Sequence, residues 1–176
     1  MTSENLRQKA SQIKLVLFDV DGVLTDGGVI LGSDGFEAKC FNIQDGMGIT
    51  LAKESGLLAG IMTGRLSEAV SRRAKELSMD VLIQGAKDKV AALENLCSEQ
   101  GLLKSEIFYM GDDVQDIGIL TRCGLSATPQ NGRQDVKDRV DFVTQARGGE
   151  GAAREAIEEI LKLTNRWEKT LEAHLS

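Results

Sequence analysis

The chain has 176 residues, of which 41% are hydrophobic, and it carries a formal net charge of -6 at pH 7. This length predicts a single domain, residues 1–176, because it is enough for one well-buried core and short for two. No basic run offsets the acidic balance, so we expect neither nucleic acid nor an anionic membrane surface as a partner. The polar start is unlike a signal peptide and no apolar run approaches membrane-spanning length, which favours a cytoplasmic protein.

Cysteine and histidine usage excludes two common kinds of site. The three cysteines, Cys40, Cys97 and Cys123, are widely spaced, form no CxxC pair and have no histidine nearby. This spacing excludes the usual zinc sites and a disulfide framework, and it predicts free thiols in a reducing cytosol. The single histidine, His174, lies at the end of the chain, so a Ser/His or Cys/His catalytic pair in the core is excluded.

A short apolar run followed by carboxylates is the central feature of the sequence. Leu15–Phe18 is too short for a helix and predicts a strand buried in a parallel sheet. Asp19, Asp21 and Asp26 follow it, and Gly22 permits a sharp turn that presents them together. Ligands bind at this edge of an open α/β sheet, and oxygen-only ligands favour Mg²⁺. A lone DxD is also common as a solvated acidic turn, so the assignment depends on residues further along the chain.

Residues 27–41 predict a β-hairpin inserted directly after the acidic turn. Two short β-prone runs flank Ser33-Asp34-Gly35, a turn signal. The first run contains the apolar residues Val29, Ile30 and Leu31. An isolated hairpin is marginal in water, so this one is expected to pack either against another subunit or onto its own domain.

The rest of the chain alternates predicted helices and strands. The predicted strands are 57–62, Val81–Ile83, Ile107–Met110, 125–127 and Phe142–Val143. The first predicted helix, 46–55, is capped by Asp45 and ended by Gly56, and the second is capped by Ser67 and runs to about Leu77. The third runs from the Lys87-Asp88-Lys89 segment to about Gln100 and is ended by Gly101, and a long fourth helix follows Gly151. This alternation predicts a doubly wound α/β fold with a mostly parallel sheet.

Three further strand ends carry groups that suit phosphate chemistry. Thr63-Gly64-Arg65 follows one strand, Lys87 and Lys89 follow the next, and the segment 111–116, Gly-Asp-Asp-Val-Gln-Asp, follows a third. Asp113 and Asp116 are also suited to cap a helix start. Together with Asp-x-Asp, the ordered set resembles the haloacid dehalogenase superfamily of aspartate-dependent phosphohydrolases over the whole domain.

Four longer segments narrow the resemblance. They are similar to those of the 3-deoxy-D-manno-octulosonate 8-phosphate (KDO 8-phosphate) phosphatases, a capless branch that serves lipopolysaccharide synthesis. The resemblance implies no cap domain, and no gap between the motifs here is long enough to hold one. The segments are residues 19–27, residues 41–49, Gln84-Gly85 with Lys89, and the glycine-rich residues 148–155.

The resemblance implies a role for each carboxylate. Asp19 would be the nucleophile that becomes an aspartyl phosphate, and Asp21 the general acid and then the base. Mg²⁺ would be held by the Asp19 carboxylate, the Asp21 main-chain carbonyl and Asp112, with Asp113 supporting these ligands.

The resemblance also assigns the cations and hydrogen-bond donors. Thr63 and the Gly64 amide would hold phosphate oxygens, and Lys89 would add a positive charge beside the nucleophile. Lys87 could do the same by charge alone. Arg65 would bind the carboxylate of a sugar-acid phosphate, although it could also be a surface residue at a helix start.

Family members are homotetramers in which the hairpin contributes to the interface and the glycine-rich C-terminal segment can cover a neighbouring active site. By this resemblance, Arg147 or Arg154 would reach the substrate of a neighbour. One departure is Glu150, which stands between the glycines where the family often has a basic residue, so Arg147 would supply the positive charge instead.

Three rival functions remain open from the sequence. A related nonulosonate 9-phosphate would suit the same scaffold, and Arg65 favours the octulosonate only weakly. A catalytically silent assembly domain is disfavoured because Asp19, Asp21 and Asp112 are all present. A phosphoacceptor receiver domain is disfavoured because its acidic pair normally precedes the acceptor strand, whereas here the acceptor candidate comes first.

Overall fold

The computed structural model describes residues 3–33 and 35–175. The strands are β1 (Leu15–Phe18), β2 (Ile30–Leu31), β3 (Glu37–Ala38), β4 (Leu58–Met62), β5 (Val81–Ile83), β6 (Ile107–Met110), β7 (Leu125–Thr128) and β8 (Phe142–Val143). The helices are α1 (Ser3–Gln12), α2 (Ile43–Glu54), α3 (Glu68–Glu76), α4 (Lys89–Gln100), α5 (Ile117–Leu120), α6 (Gln134–Lys137), α7 (Ala152–Leu163) and α8 (Trp167–Glu172).

Six strands form one parallel sheet in the order β5-β4-β1-β6-β7-β8. β1 lies at the centre, where Leu15 is in register with Leu58 of β4 and with Ile107 of β6. The chain continues from β1 toward one edge and then returns to β6 on the other side, so the strand order reverses beside β1. In doubly wound sheets the ligand crevice lies at this reversal, outside the carboxyl ends of the strands.

The core lies on both faces of the sheet, which explains why β1 is apolar at every position. Val16 and Phe18 pack with α1, α2, α3 and α7 on one face. Leu15 and Leu17 pack with α4, α5 and α6 on the other. Each large apolar side chain buried in this way contributes about 1.5–3 kcal/mol to stability. The predicted α/β architecture is therefore confirmed.

Helix α2 begins three residues before the predicted start, and the predicted cap is wrong. The Asn42 side chain accepts a hydrogen bond from the Gln44 amide at 2.7 Å and caps the helix. Asp45 is buried inside the first turn and accepts a hydrogen bond from the Arg154 amide at 2.9 Å, so it holds the start of α7 instead. An acidic residue therefore caps a helix distant in sequence, which local spacing does not reveal.

The other helix boundaries follow local signals more closely. Asp88 caps α4 by accepting hydrogen bonds from the Val90 and Ala91 amides, and Gly101 ends the helix with a positive φ of 63°. Ser67 occupies the predicted position before α3, but its side chain makes no capping hydrogen bond. Four short or polar helices, α1, α5, α6 and α8, were not predicted.

Strands β2 and β3 pair antiparallel as the predicted hairpin, with Ile30 opposite Ala38. The predicted turn includes Asp34, which lies outside the described residues. Val29, Ile30 and Leu31 have exposed fractions of 40%, 61% and 72%, so this apolar strand is uncovered within one chain. No helix in the described part of the chain is long and apolar enough to cross a membrane.

Candidate active site

The carboxyl end of β1 continues into a wide turn, Val20–Leu24, in which Asp21 and Gly22 have non-helical backbone angles. The Thr25 amide closes the turn by donating to the Val20 carbonyl at 3.0 Å. Gly22 has a φ of 88°, and a Cβ at this position would collide with the Asp112 carboxylate. Glycine thus lets the loop after β1 and the loop after β6 meet, which brings Asp112 beside the first motif.

The predicted nucleophile, Asp19, is almost completely buried at the end of β1, with 1% exposure. One carboxylate oxygen accepts from the Val20 amide at 2.7 Å, and the other accepts from Lys89 Nζ at 2.5 Å. These two contacts fix the orientation of the carboxylate. Lys87 is exposed, so the structure places Lys89 rather than Lys87 against Asp19.

Lys89 is held by a buried polar cluster at the start of α4. Its ammonium donates to Asp116 Oδ1 at 2.6 Å and to the Tyr109 hydroxyl at 3.0 Å, and that hydroxyl donates to Asp116 Oδ1 at 2.8 Å. Burial, followed by the charges of Asp19 and Asp116, raises the pKa of Tyr109 well above its usual value, so Tyr109 remains a donor. Sequence reasoning missed Tyr109, although a tyrosine in a fully buried strand needs a partner for its hydroxyl.

Three carboxylates crowd the end of the sheet with one cation between them. One oxygen from each of Asp19, Asp112 and Asp116 lies within 4.8 Å of the others. Burial, followed by repulsion from Asp116, raises the pKa of Asp19 to about 6, even though Lys89 opposes the shift. Burial, followed by the charges of Asp116 and Asp19, raises the pKa of Asp112 to about 7. Burial lowers the pKa of Lys89, but the two adjacent carboxylates outweigh it, and that pKa is raised.

This excess of negative charge fits a divalent cation. All of the donors are carboxylate oxygens, the ligands that Mg²⁺ prefers. The pKa values of Asp19 and Asp112 are raised first by burial and then by repulsion between the carboxylates, and a bound cation would offset both effects. The absence of a side chain at Gly22 leaves room for the Asp112 carboxylate at this site.

Asp116, not Asp113, is the carboxylate that joins this cluster. Asp113 is exposed and accepts from the Val114 amide at 2.7 Å, which makes it a cap of the following turn. Asp116 is fully buried, and its second oxygen accepts from the Asp112 amide at 3.1 Å and the Asp113 amide at 3.3 Å. With both oxygens engaged, Asp116 orients Asp112 and Lys89. Asp116 belongs to the 111–116 segment singled out in the sequence, but its spacing from Asp113 favoured a helix cap.

A pocket of about 410 Å³ opens above Asp19. Six of the predicted site residues line it, namely Asp19, Asp21, Thr63, Gly64, Arg65 and Lys89. The other lining residues are Ala86, Lys87 and Gln115. The carboxyl ends of β1, β4 and β5 therefore converge on one space that holds a carboxylate, a hydroxyl, a backbone amide and cations. This set is suited to bind and attack a phosphate ester.

The hairpin contributes two charged residues to the rim of the pocket that sequence reasoning missed. Lys39 pairs with Asp21, and Glu37 Oε2 accepts from the Arg65 guanidinium at 2.6 Å. Arg65 also approaches Asp21, with 3.6 Å between Nε and Oδ2. Glu37 lies in β3 and Lys39 directly follows it, so their alternate spacing in an extended segment was a usable signal.

The structure does not bring Arg147 and Arg154 into this pocket. Arg147 is exposed, whereas Arg154 Nε donates to Glu158 at 2.6 Å and its guanidinium stacks over Trp167 at 5.5 Å. The glycine-rich segment instead packs on the Val20–Leu24 turn of its own chain, which follows the predicted nucleophile and is called the catalytic turn below. The Gly149 amide donates to the Val23 carbonyl at 2.9 Å.

Comparisons with known proteins agree with this geometry. Residues 80–155 match the haloacid dehalogenase-like hydrolase family. The 3-deoxy-D-manno-octulosonate 8-phosphate phosphatase KdsC of Escherichia coli strain B is 36% identical over 159 residues, which cover 90% of this chain and 85% of that protein.

Two solved structures of similar proteins share the fold over nearly their whole length. The phosphatase of Moraxella catarrhalis, in complex with magnesium, phosphate and KDO, has a TM-score of 0.95 at 40% identity and covers 99% of both chains. The cobalt-bound phosphatase of Haemophilus influenzae has a TM-score of 0.90 at 32% identity, covering 96% of this chain and 100% of that one. The chain therefore belongs to the family of 3-deoxy-D-manno-octulosonate 8-phosphate phosphatases, within the haloacid dehalogenase-like hydrolases.

Proposed function

We propose that this protein is a Mg²⁺-dependent phosphatase that hydrolyses KDO 8-phosphate to KDO and phosphate in lipopolysaccharide biosynthesis. The observation that carries the proposal is the buried Asp19 carboxylate, oriented by Val20 and Lys89 at the base of a pocket lined by Thr63 and Gly64. A relative that matches the chain along 99% of its length was solved with magnesium, phosphate and KDO.

In the first step, a carboxylate oxygen of Asp19 forms a bond to phosphorus while the bond from phosphorus to the sugar oxygen breaks. The leaving oxygen keeps the electron pair and takes a proton from Asp21. In the second step, Asp21 accepts a proton from water as the water oxygen bonds to phosphorus. The bond between Asp19 and phosphorus then breaks, and the Asp19 carboxylate is restored.

The phosphate would be held by the Thr63 hydroxyl, the Gly64 amide and Lys89, all of which line the pocket. Asp19, the Asp21 main-chain carbonyl and Asp112 would hold Mg²⁺, with Asp116 orienting Asp112 through its backbone amide. When bound, the ion offsets the negative charge of the phosphate and of the nucleophile.

Arg65 is the proposed contact for the substrate carboxylate, because a guanidinium binds a carboxylate through two parallel hydrogen bonds. Arg65 would release Glu37 and bind the substrate carboxylate instead, so its guanidinium would be paired with a carboxylate both before and after the substrate binds. Of the two arginines near the C-terminal glycines, Arg147 is the better candidate for a neighbour's substrate, since Arg154 is held by Glu158 and Trp167. The runner-up substrate is a nonulosonate 9-phosphate.

The exposed hairpin supports assembly as a homotetramer. Val29, Ile30 and Leu31 form an apolar strand that a second copy would cover. Light scattering tests this, and Ile30→Asp should dissociate the assembly, whereas a wild-type monomer at micromolar concentration would refute it. The three free cysteines fit a protein of the reducing cytoplasm.

The proposed activity is tested by phosphate release from KDO 8-phosphate and from a nonulosonate 9-phosphate, each with Mg²⁺ and with EDTA. Turnover should require Mg²⁺, favour the octulosonate and be abolished by Asp19→Asn with the fold intact. Full activity in EDTA or in Asp19→Asn would overturn the covalent mechanism. Preference for the nonulosonate would transfer the assignment to the runner-up, and no hydrolysis of either would favour a silent assembly domain.

A further inference from the structure

The hairpin strand β3 presents charged side chains to the candidate active site as well as an apolar strand to the outside. Lys39, the residue after β3, forms an ion pair with Asp21, and its Nζ lies 3.7 Å from Glu37 Oε1. Glu37 in turn accepts from Arg65 at 2.6 Å. A chain of alternating charges therefore links the hairpin to the proposed general acid.

The Lys39 side chain is more deeply buried than its partner. Its side-chain exposure is 0%, against 23% for Asp21. A lysine ammonium removed from water needs a partner, because an unpaired buried charge costs several kcal/mol. Asp21 supplies that partner, and Lys39 therefore cannot move away from it without a large penalty.

The position of the Asp21 carboxylate depends on this contact. Among the described residues, Lys39 is the one that makes a hydrogen bond to it, since the Arg65 Nε is 3.6 Å away from Oδ2. Lys39 occupies Oδ1. Among the described residues Oδ2 accepts no hydrogen bond, and Asp21 lines the pocket, so Oδ2 is the oxygen free to give a proton to a leaving alcohol.

We propose that Lys39 is a positioning residue for Asp21, so that the hairpin is a working part of the active site as well as a surface for assembly. This inference rests on the proposed phosphatase function. Lys39 does not line the pocket, and its ion-pair partners among the described residues are Asp21 and Glu37. It acts by holding one oxygen of Asp21 so that the other carries the proton to the leaving oxygen as the bond between that oxygen and phosphorus breaks.

A leaving-group comparison separates this role from a merely structural one. A sugar alcohol leaves poorly unless it is protonated, whereas the nitrophenolate of p-nitrophenyl phosphate leaves without a proton. The parameter kcat/KM reports the steps up to release of the alcohol, before water attacks the aspartyl phosphate. A misplaced Asp21 should therefore lower kcat/KM for the sugar phosphate far more than for the aryl phosphate.

The experiment measures kcat/KM of Lys39→Met on KDO 8-phosphate and on p-nitrophenyl phosphate. The sugar phosphate should lose about a hundredfold, the scale of a misplaced catalytic group, and the aryl phosphate less than about tenfold. Lys39→Arg, which keeps the charge, should recover part of the loss. Lys53→Met is the matched control, because Lys53 also pairs with an aspartate, Asp80, which unlike Asp21 does not line the pocket, and it should leave both values unchanged.

A double-mutant cycle completes the test. In an Asp21→Asn background, Lys39→Met should produce no further loss on the sugar phosphate, because the group that it positions is already disabled. Equal losses on the two substrates, or additive losses with Asp21→Asn, would overturn the inference. If Lys39→Met does not fold, Lys39→Gln replaces it, because glutamine preserves most of the side-chain volume. Lys39→Gln should show the same larger loss on the sugar phosphate, and equal losses on the two substrates would overturn the inference.

The two proposals fail in different ways. If wild-type protein does not hydrolyse KDO 8-phosphate, the proposed function fails, and the role of Lys39 in that reaction fails with it. If the wild type is active and Lys39→Met lacks the substrate-dependent loss, the function stands and the role of Lys39 is refuted.

Discussion

Lys89 Nζ lies 2.5 Å from Asp19 Oδ2, although the two residues are 70 positions apart in the chain. Their side chains are 3% and 2% exposed, so water screens the pair weakly. The same ammonium also contacts Asp116 at 2.6 Å, which leaves one cation between two carboxylates. The cluster is therefore short of positive charge until a divalent cation binds.

Lys89→Met should abolish measurable turnover, because it removes the cation beside the nucleophile and leaves Asp19 and Asp116 facing each other. Breaking a buried ion pair of this kind costs about 3–5 kcal/mol. Lys87→Met is the matched control, since Lys87 lines the same pocket but is exposed. Phosphate release and thermal unfolding of both variants check the prediction. A larger loss of activity from Lys87→Met would reverse the assignment of the two lysines.

Asp112→Asn should stabilise the metal-free protein while preventing function. Because folding raises the pKa of Asp112 from 3.8 to about 7, the folded protein keeps a proton there that the unfolded chain releases. Stability of the metal-free wild type should therefore fall as pH rises between these values, and the full loss should be present above pH 7 or so. The neutral amide removes this penalty. Melting temperatures in EDTA at about pH 5 and about pH 8 measure the difference.

Saturating Mg²⁺ should reverse that order, because a ligand that binds the folded state alone stabilises it and the variant lacks one of the ligands. Asp113→Asn is the control, since its exposed carboxylate caps a turn outside the cluster. Two results would contradict the proposed ligand set: a lower melting temperature of Asp112→Asn in EDTA at high pH, or an undiminished gain from Mg²⁺.

Gly149→Ala should damage the catalytic turn more than a matched glycine substitution elsewhere. Gly149 has a φ of 73°, and a Cβ there would lie 2.5 Å from the Asp26 backbone nitrogen. Gly35 has a similar φ of 85°, with no described atom within 4 Å of its Cβ position. Both substitutions carry about 1 kcal/mol of backbone strain. Urea unfolding should show a further loss of about 1–3 kcal/mol for Gly149→Ala, and kcat should fall in that variant alone.

Arg65→Ala should lower kcat/KM for KDO 8-phosphate by roughly tenfold or more, the scale of losing one charge-assisted hydrogen bond. A small phosphate ester without a carboxylate should be nearly unaffected. Arg72→Ala is the control, because Arg72 is an exposed arginine on α3 that does not line the pocket. Equal losses on the two esters would mean that Arg65 serves the phosphate or the ion pair with Glu37 instead.

The strands were predictable because each depends on a few neighbouring residues. β1, β5, β6 and β8 have the predicted boundaries, and β4 and β7 differ by one residue. Strong turn and cap residues, such as Asp88 and Gly101 around α4, act within one helical turn. The start of α2 was not predictable from Asp45, since its buried carboxylate serves α7, 109 residues away.

The sequence alone determined that carboxylates, a hydroxyl and cations follow parallel strands, and the carboxyl ends of such strands share one edge. Asp19, Thr63, Gly64 and Lys89 therefore meet at one pocket as predicted.

Only the tertiary structure decided which side chain serves which partner. Asp116 turns inward to hold Lys89, and the hairpin folds back so that Lys39 reaches Asp21. The C-terminal glycines lie on the catalytic turn, where the Asn42 side chain donates to the Gly149 carbonyl across 107 residues of sequence. Such pairings follow from packing and from the need of each buried charge for a partner, and neither is set by local spacing.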